Sequence, residues 1–170
     1  MRDASAVAAA LGGVDVDALL HVAGGFAWGS SSDDIPNEEW DTQFAINVGT
    51  LRTMLRQIVP GMVARGRGAV VTVGALSAFS GKPLMASYCA AKASVMRLTE
   101  SLSAELRDKG INVNAVAPSI IDTPANRAAM PDAEFDRWVS PLSLAEVMCF
   151  LCSPGARDVH GAVIPVAGRV

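Results

Sequence analysis

The chain has 170 residues, of which 51% are hydrophobic and 18% are charged, and its formal net charge is −3 at pH 7. This composition is typical of one globular domain and excludes a disordered or fibrous chain. The small negative charge argues against a nucleic-acid or membrane-surface partner, because both require clustered basic residues. Three cysteines without a pair of CxxC motifs predict neither a disulfide framework nor a metal site, so a reducing cytoplasm is the expected location.

Short apolar runs alternate with longer amphipathic stretches along the chain, which is the pattern of βα units. We therefore expect a single domain over residues 1–170, with an α/β fold built on a parallel sheet. The four runs of strand length are Ala18 to Val22, Ala69 to Val73, Ile111 to Val116 and Ala162 to Val166.

Helices are predicted between these strands. The first long apolar stripe runs from Glu38 to Val59, with Asn37 or Asp34 as its candidate N-cap and Pro60 as its limit. Further helices are expected over Ala4 to Leu11, Ala86 to Asp108 and Leu142 to Leu151.

The chain contains one tyrosine, Tyr88, and a lysine, Lys92, follows it by four residues. Within the predicted helix this spacing puts the phenol and the ammonium on one face, one turn apart. A nearby cation favours the phenolate, so we expect Lys92 to lower the pKa of Tyr88 and make the phenol a usable general acid. Alternatively, Tyr88 is a boundary aromatic residue and Lys92 is a solvated charge.

Three other features are candidates for a binding site. Ala23-Gly24-Gly25 and Pro118 to Thr123 follow the first and third predicted strands, and ligands of open α/β sheets bind at the carboxyl ends of strands. Asn47 lies among apolar neighbours on a helix, where a buried amide needs hydrogen-bond partners. Each feature also has a purely structural interpretation as a turn, a loop or an internal polar contact. His21 is expected to be a strand residue and His160 a surface residue.

The chain resembles the short-chain dehydrogenase/reductase family in the order and spacing of Ala23-Gly24-Gly25, Asn47, the Tyr88-x-x-x-Lys92 pair and the loop Pro118 to Thr123. The resemblance runs from about Asp15 to the C-terminus. It implies a Rossmann-like doubly wound parallel sheet and an oxidoreductase that uses NAD(H) or NADP(H) on a small-molecule substrate.

The resemblance also implies roles for individual residues. Tyr88 would donate a proton, Lys92 would lower the pKa of that tyrosine and hold the nicotinamide ribose, and Asn47 would support a water relay. The residues that would bind the cofactor are Ala23, Gly24, Gly25, Lys92, Pro118, Ser119, Ile120 and Thr123.

The chain departs from the family at one catalytic position, because the serine expected thirteen residues before the tyrosine is Ala75 here. One branch of the family, the dihydropteridine reductases, is similar to this chain in the same absence. It is also similar in the segments His21 to Gly29, Gly74 to Tyr88 and Ile121 to Trp138.

The dihydropteridine resemblance implies a substrate that needs no polarising serine. A quinonoid dihydropterin is already electron-poor, so hydride can enter it directly and Tyr88 need only supply a proton. Phe26 or Trp28 would stack on such a flat heterocycle. Ser77 is a candidate replacement for the missing hydroxyl.

The family's glycine-rich phosphate loop has no counterpart in this sequence. Because a βαβ unit takes about 30 residues, we expect roughly 60 to 75 residues of a cofactor segment to be missing before Met1. About four strands would then remain, and the strand from Ala18 to Val22 would be an exposed edge. Cofactor binding would be weakened, since helix N-termini and backbone donors hold the phosphates.

The leading hypothesis is therefore an NAD(P)H-dependent oxidoreductase that transfers hydride to a small carbonyl or quinonoid pterin-like substrate, with Tyr88 as the proton donor. The alternative is a truncated, non-catalytic remnant that acts as a dimerising interaction module. The resemblance implies a homodimer or homotetramer formed through the helices near residues 38–59 and 86–108. The choice between NAD and NADP stays open.

Overall fold

The structure is a computed structural model that describes Met1 and residues 3–170. Strands and helices alternate along the chain, and a π-helical turn, Ala45–Gly49, joins two of the helices. The strands are β1 (Ala18–His21), β2 (Gly68–Val73), β3 (Ile111–Pro118) and β4 (Val163–Val166). The helices are α1 (Ala4–Leu11), α2 (Asn37–Phe44), α3 (Thr50–Arg65), α4 (Ala86–Leu106), α5 (Pro124–Ala129) and α6 (Pro141–Leu151).

The four strands form one parallel sheet in the order β1-β2-β3-β4. The register pairs Leu19 of β1 with Val70 of β2, and Val70 with Val113 of β3. Parallel strands need a crossover connection, and α3, α4 and α6 supply these connections. The predicted parallel α/β fold is confirmed, and β1 lies at one edge of the sheet.

Helices pack on both faces of the sheet, as a parallel sheet requires. One core cluster joins Leu19 and Val70 of the sheet to Leu51 of α3. A second cluster on the opposite face joins Val71 of β2 to Met148 of α6. Apolar burial of this kind contributes about 25 cal/mol per Å² and fixes the strand ends relative to the helices.

The predicted end of the first long helix at Pro60 is wrong, because α3 continues through that proline to Arg65. A proline lacks the N–H of one helical hydrogen bond, and tertiary contacts of the following turn offset that loss. Met62 is fully buried, and the Arg65 guanidinium donates to the carbonyl oxygen of Val16 at 2.6 Å. The helix ends at Gly66, whose φ of +66° is favourable for glycine.

Two local features depart from the sequence expectations at helix starts. Asn37 is the first residue of α2 rather than its N-cap, and Pro36 occupies the capping position without a side-chain hydrogen bond. Helix α5 was not among the predicted elements, although Thr123 caps it by accepting from the Asn126 N–H at 3.2 Å and Pro124 begins it. Thr-Pro is a regular start signal for a helix.

The described helices include none whose length and apolar character suffice to cross a bilayer. The three cysteines, Cys89, Cys149 and Cys152, are free thiols. The cytoplasmic location expected from the sequence stays a prediction.

Candidate active site

The candidate residues converge at the carboxyl ends of β1, β2 and β3. Residues 23–25 follow β1, residues 74–75 follow β2, and the loop from Pro118 follows β3. Helix α4, which carries Tyr88 and Lys92, packs against β2 and β3. In open α/β sheets this edge is the usual ligand-binding edge.

Lys92 is buried at the centre of this edge, with 6% of its surface exposed. Its Nζ donates to the carbonyl oxygen of Val73 at 2.9 Å. A methyl group added at Gly24 would lie 3.0 Å from the same Nζ, so the backbone after β1 approaches the ammonium closely. Burial lowers the pKa of Lys92 to about 8, which leaves the side chain mainly cationic at neutral pH.

Asn47 lies on the π-helical turn and holds the backbone that follows β1. Its Nδ2 donates to the carbonyl oxygen of Gly25 at 3.2 Å, and its Oδ1 accepts from the Gly25 N–H at 3.1 Å. The same Nδ2 lies 3.0 Å from the backbone oxygen and 3.1 Å from the side-chain oxygen of Gln43. π-Helical turns occur often at functional sites, and this one aims a buried amide at the strand end.

Tyr88 lies one helical turn before Lys92 on α4, as its spacing predicts. The predicted lowering of its pKa is not found in the chain by itself. Burial raises the pKa of Tyr88 to about 12, and the neighbouring Cys89 contributes in the same direction. Both effects disfavour the phenolate, so the phenol is protonated at neutral pH.

Aromatic side chains form the outer side of the site. The Phe26 ring meets the Tyr88 ring edge to face, with centroids 5.0 Å apart and an interplanar angle of 78°. Phe26 is 63% exposed and Trp28 is 66% exposed. The sequence placed both near a substrate, and Phe26 does lie against the phenol.

The segment after β2 contains Ala75, which stands where the family resemblance leads us to expect a serine. Ala75 is buried and precedes the 3₁₀ turn Leu76–Phe79, which contains Ser77. The carbonyl oxygen of Ser77 accepts from Sγ of Cys89, the residue after Tyr88, at 3.4 Å. This contact ties the backbone of Ser77 to the tyrosine helix, and a role for its hydroxyl stays a prediction.

The loop after β3 is held by hydrogen bonds within the fold. The Ser119 hydroxyl donates to the carbonyl oxygen of Ala167 at 2.6 Å, and the Ile120 carbonyl accepts from the Val139 N–H at 2.9 Å. Pro118 is the last residue of β3, and the Thr123 hydroxyl caps α5. The side-chain oxygens of Ser119 and Thr123 therefore have internal partners, and the cofactor-binding roles of this loop stay predictions.

His21, at the end of β1, is a strand residue as predicted, and it is 4% exposed. Its register partner is Thr72, so its imidazole lies on the sheet face that α3 and α4 cover. Its Nε2 is buried without a hydrogen-bond partner among the described residues. Burial lowers the pKa of His21, and the charge of Lys92 lowers it further.

Sequence reasoning missed several residues that support the site. Gln43 precedes Asn47 by one helical turn and is buried beside it, a spacing that the sequence displays. Glu39 accepts from the hydroxyls of Ser30 and Ser87, each at 2.5 Å. No sequence pattern could have revealed that contact, because it joins segments 48 residues apart.

The residues present fit the nicotinamide end of the cofactor that the resemblance implies. Lys92 offers a buried cation beside a backbone segment, at Gly24, that leaves no room for a side chain. A ribose hydroxyl can approach an ammonium at such a position. Over the described residues, α1 precedes β1 without a strand before it, so Gly12 and Gly13 do not form a strand-to-helix phosphate loop.

Comparison with known proteins gives sequence relatives along nearly the whole chain. The family model described as enoyl-(acyl carrier protein) reductase matches residues 3–168. Dehydrogenase/reductase SDR family member 4 of Bos taurus is 31% identical over 92% of this chain, and the chain spans 59% of that protein's length. A protein of Xanthobacter autotrophicus described as inactive 2-(S)-hydroxypropyl-CoM dehydrogenase 2 is 33% identical over 99% of this chain and 81% of its own length.

Solved structures agree with the sequence relatives. A 3-oxoacyl-[acyl-carrier protein] reductase of Brucella melitensis with bound NAD has a TM-score of 0.87 and 28% identity, over 99% of this chain and 68% of that one. A protein of Beutenbergia cavernae, whose structure contains NADP at low occupancy, has a TM-score of 0.88 and 31% identity, over 97% of this chain and 70% of that one. The predicted Rossmann-like architecture is thereby confirmed. With its parallel sheet, its Tyr88-Lys92 helix and these matches, the chain belongs to the short-chain dehydrogenase/reductase family.

Proposed function

We propose that this chain contributes the catalytic part of an NAD(P)H-dependent oxidoreductase, in which Tyr88 donates a proton to the substrate as hydride is transferred. The observation that carries the proposal is the buried Lys92 ammonium at the strand ends, one turn from Tyr88. A bound nicotinamide supplies the hydride. NAD and NADP are both candidates, since relatives have been solved with either one.

Each side chain has a distinct task in this proposal. Lys92 donates to the nicotinamide ribose hydroxyls while its link to the Val73 carbonyl fixes its position. Asn47 binds the backbone N–H and carbonyl of Gly25 and so fixes the segment that follows β1. Tyr88 stays protonated at neutral pH because burial raises its pKa to about 12, and a protonated phenol is the form that can act as a donor.

The substrate we propose is a flat, electron-poor carbonyl or quinonoid heterocycle, such as a quinonoid dihydropterin. Ala75 offers no hydroxyl to polarise an isolated carbonyl, and an already conjugated acceptor has less need of one. The exposed rings of Phe26 and Trp28 support stacking on a planar substrate.

We also propose that the chain is a single domain, as expected from the sequence. We further propose that it forms a homodimer or homotetramer through α2–α3 and α4. Both helical segments carry exposed residues, such as Trp40 and Arg52 on α2–α3 and Arg97 on α4. A molecular mass from light scattering equal to that of one chain would contradict this assembly.

A second candidate function is a non-catalytic interaction module. One observation favours it: the Xanthobacter relative, which is 33% identical to this chain, is described as inactive. This candidate predicts assembly through the same helices without cofactor binding.

Titration of NADH and NADPH into the purified 170-residue chain, followed by tryptophan fluorescence, separates the two candidates. Binding at micromolar concentration, with oxidation of the cofactor in the presence of a quinonoid dihydropterin, supports the enzyme. In that case Tyr88→Phe should lower kcat about 100-fold or more while the cofactor Kd changes little, because only the proton donor is removed. Assembly without cofactor binding supports the interaction module.

A further inference from the structure

The loop between β1 and α2, residues 22–36, is termed the aromatic loop because it carries the two exposed aromatic rings of the site, Phe26 and Trp28. It is anchored to Asn47 at Gly25 and has no regular strand or helix until α2 starts. Between Gly25 and Pro36, whose carbonyl accepts from the Trp40 N–H at the start of α2, two hydrogen bonds among the described residues connect the loop to other segments. They are the Gly29 N–H to the Leu84 carbonyl at 2.9 Å and the Ser30 hydroxyl to Oε2 of Glu39 at 2.5 Å.

Glu39 uses both carboxylate oxygens in this connection. While Oε2 accepts from Ser30, Oε1 accepts from the Ser87 hydroxyl at 2.5 Å. Ser87 is 1% exposed and directly precedes Tyr88, so its buried hydroxyl requires a partner. One carboxylate therefore joins the aromatic loop to the first turn of the tyrosine helix. This set of contacts, Ser30–Glu39–Ser87, forms the Glu39 joint.

The chemistry of this joint favours a fixed geometry. Hydrogen bonds to a carboxylate are roughly twice as strong as neutral ones, and these two lower the pKa of Glu39. Glu39 also lies in the first turn of α2, where the helix dipole stabilises a negative charge. The carboxylate is thus held ionised while it holds the two hydroxyls.

The joint matters because, beyond the Gly25 anchor on Asn47, the loop that carries Phe26 is connected to its surroundings only by the Gly29–Leu84 hydrogen bond, the Ser30–Glu39 hydrogen bond and the start of α2, among the described residues. Phe26 is 63% exposed, and its edge contact with the phenol, at 5.0 Å, is a weak one. A shift of the loop would move that ring and Trp28 away from the phenol and would leave Lys92 and Asn47 in place.

We propose that Glu39 is a positioning residue that joins the aromatic loop to the Tyr88 helix through Ser30 and Ser87 and thereby sets the substrate-binding wall. The inference rests on the proposed function for its effect on substrate, while the joint itself can be measured without turnover. Glu39 acts on affinity for the planar substrate and leaves the proton donor in place.

The test compares Glu39→Ala with Glu38→Ala. Both remove one negative charge from the same helical turn, but Glu38 is exposed and makes no side-chain hydrogen bond to the described residues. For Glu39→Ala we expect a KM for the quinonoid substrate raised about tenfold with kcat changed less than about threefold, the pattern of lost ground-state binding. Glu39→Gln, which keeps one acceptor oxygen, should recover part of the loss, and Glu38→Ala should match the parent chain.

Amide hydrogen exchange at Gly29, measured by NMR, reports on the joint independently of catalysis. Glu39→Ala should accelerate exchange of the Gly29 N–H about tenfold, and Glu38→Ala should not. Ser30→Ala, which removes only the loop arm, should give the same acceleration and serves if Glu39→Ala does not fold.

Equal KM values and equal Gly29 exchange in the two glutamate variants would overturn the proposal. Equal acceleration in both would overturn it too, because charge at the helix start would then be the cause. If the parent chain shows no turnover, the proposed function fails, and the exchange comparison still decides whether Glu39 forms the joint.

Discussion

The two sides of the candidate site are built differently. The inner side, around Asn47 and Lys92, is buried between the sheet and two helices, and its polar atoms bind backbone groups at fixed strand ends. The outer side, around Phe26, is exposed and held by a few hydrogen bonds from its loop to helix α2 and to the loop at Leu84. A buried site keeps its geometry through packing, whereas a loop depends on individual hydrogen bonds, so similar substitutions should have unequal effects on the two sides.

The largest effect on folding stability is expected for Asn47→Ala. This change leaves the Gly25 backbone without its amide partner and removes the contacts with Gln43. We expect the free energy of unfolding to fall by about 2–3 kcal/mol in urea denaturation, because buried polar groups lose their partners. Thr53→Ala, which removes one hydrogen bond to Gly49 on the same helix, should cost about 1 kcal/mol or less. Equal losses in the two variants would show that the inner side is not specially constrained.

A smaller loss of stability is expected for Gly24→Ala. The new methyl group would lie 2.7 Å from Oδ1 of Asn47 and 3.0 Å from Nζ of Lys92, so at least one of them must move. We expect a destabilisation of about 1–2 kcal/mol by thermal denaturation, together with weaker cofactor binding by fluorescence titration. Gly81→Ala is the matched control, since a methyl group there meets nothing within 4 Å. A Gly24→Ala chain as stable as the control would contradict the tight approach at β1.

The pH dependence of unfolding should identify Lys92 as the buried charge of the inner side. Its pKa is about 8 in the folded chain and 10.5 ordinarily, so between these values the unfolded state binds a proton that the folded state has released. The free energy of unfolding should therefore rise with pH from about 8 to 10.5, by at most about 1.4 kcal/mol per pH unit. Chemical denaturation between pH 7 and 10 should show this rise in the parent chain and a flatter profile in Lys92→Met. Equal pH dependence of the unfolding free energy in the parent chain and in Lys92→Met would contradict the assignment of Lys92 as a buried cation.

The smallest effect on stability is expected on the outer side. Phe26→Ala removes an exposed ring, so the free energy of unfolding should change by less than about 0.5 kcal/mol. The KM for a planar substrate should nevertheless rise several-fold, because the ring that faces Tyr88 is gone. A loss of stability as large as that of Asn47→Ala would erase the distinction between the two sides.

Local patterns in the sequence predicted the strands, the tyrosine helix and the parallel sheet, because alternation and helical spacing reflect burial directly. The continuation of α3 through Pro60 could not be predicted, since it depends on Met62 and Arg65 contacting segments distant in the chain. The pKa of Tyr88 was predicted in the wrong direction, because spacing reveals the nearby lysine but not how deeply the phenol is buried. Long-range contacts and desolvation are the two quantities that helical spacing does not encode.

The role of Glu39 was hidden for the same reason. A glutamate near a helix start has an ordinary local explanation as a favourable charge. Its contact with Ser87 is visible only when α2 and α4 lie side by side.

The π-helical turn at Ala45–Gly49 determines how α2 is rotated about the helix axis relative to α3. Each residue of an α-helix turns the chain by about 100°, so an extra residue within a turn rotates the preceding segment by about that angle relative to the following one. Glu39, on one side of this turn, faces Ser87, while Leu51, on the other side, faces the core. A one-residue deletion within the turn would keep a continuous helix and its composition, but it could present only one of these two faces correctly. Because of this wide turn, α3 packs Leu51 into the hydrophobic core while α2 presents Glu39 to Ser87 at the proposed substrate-binding wall.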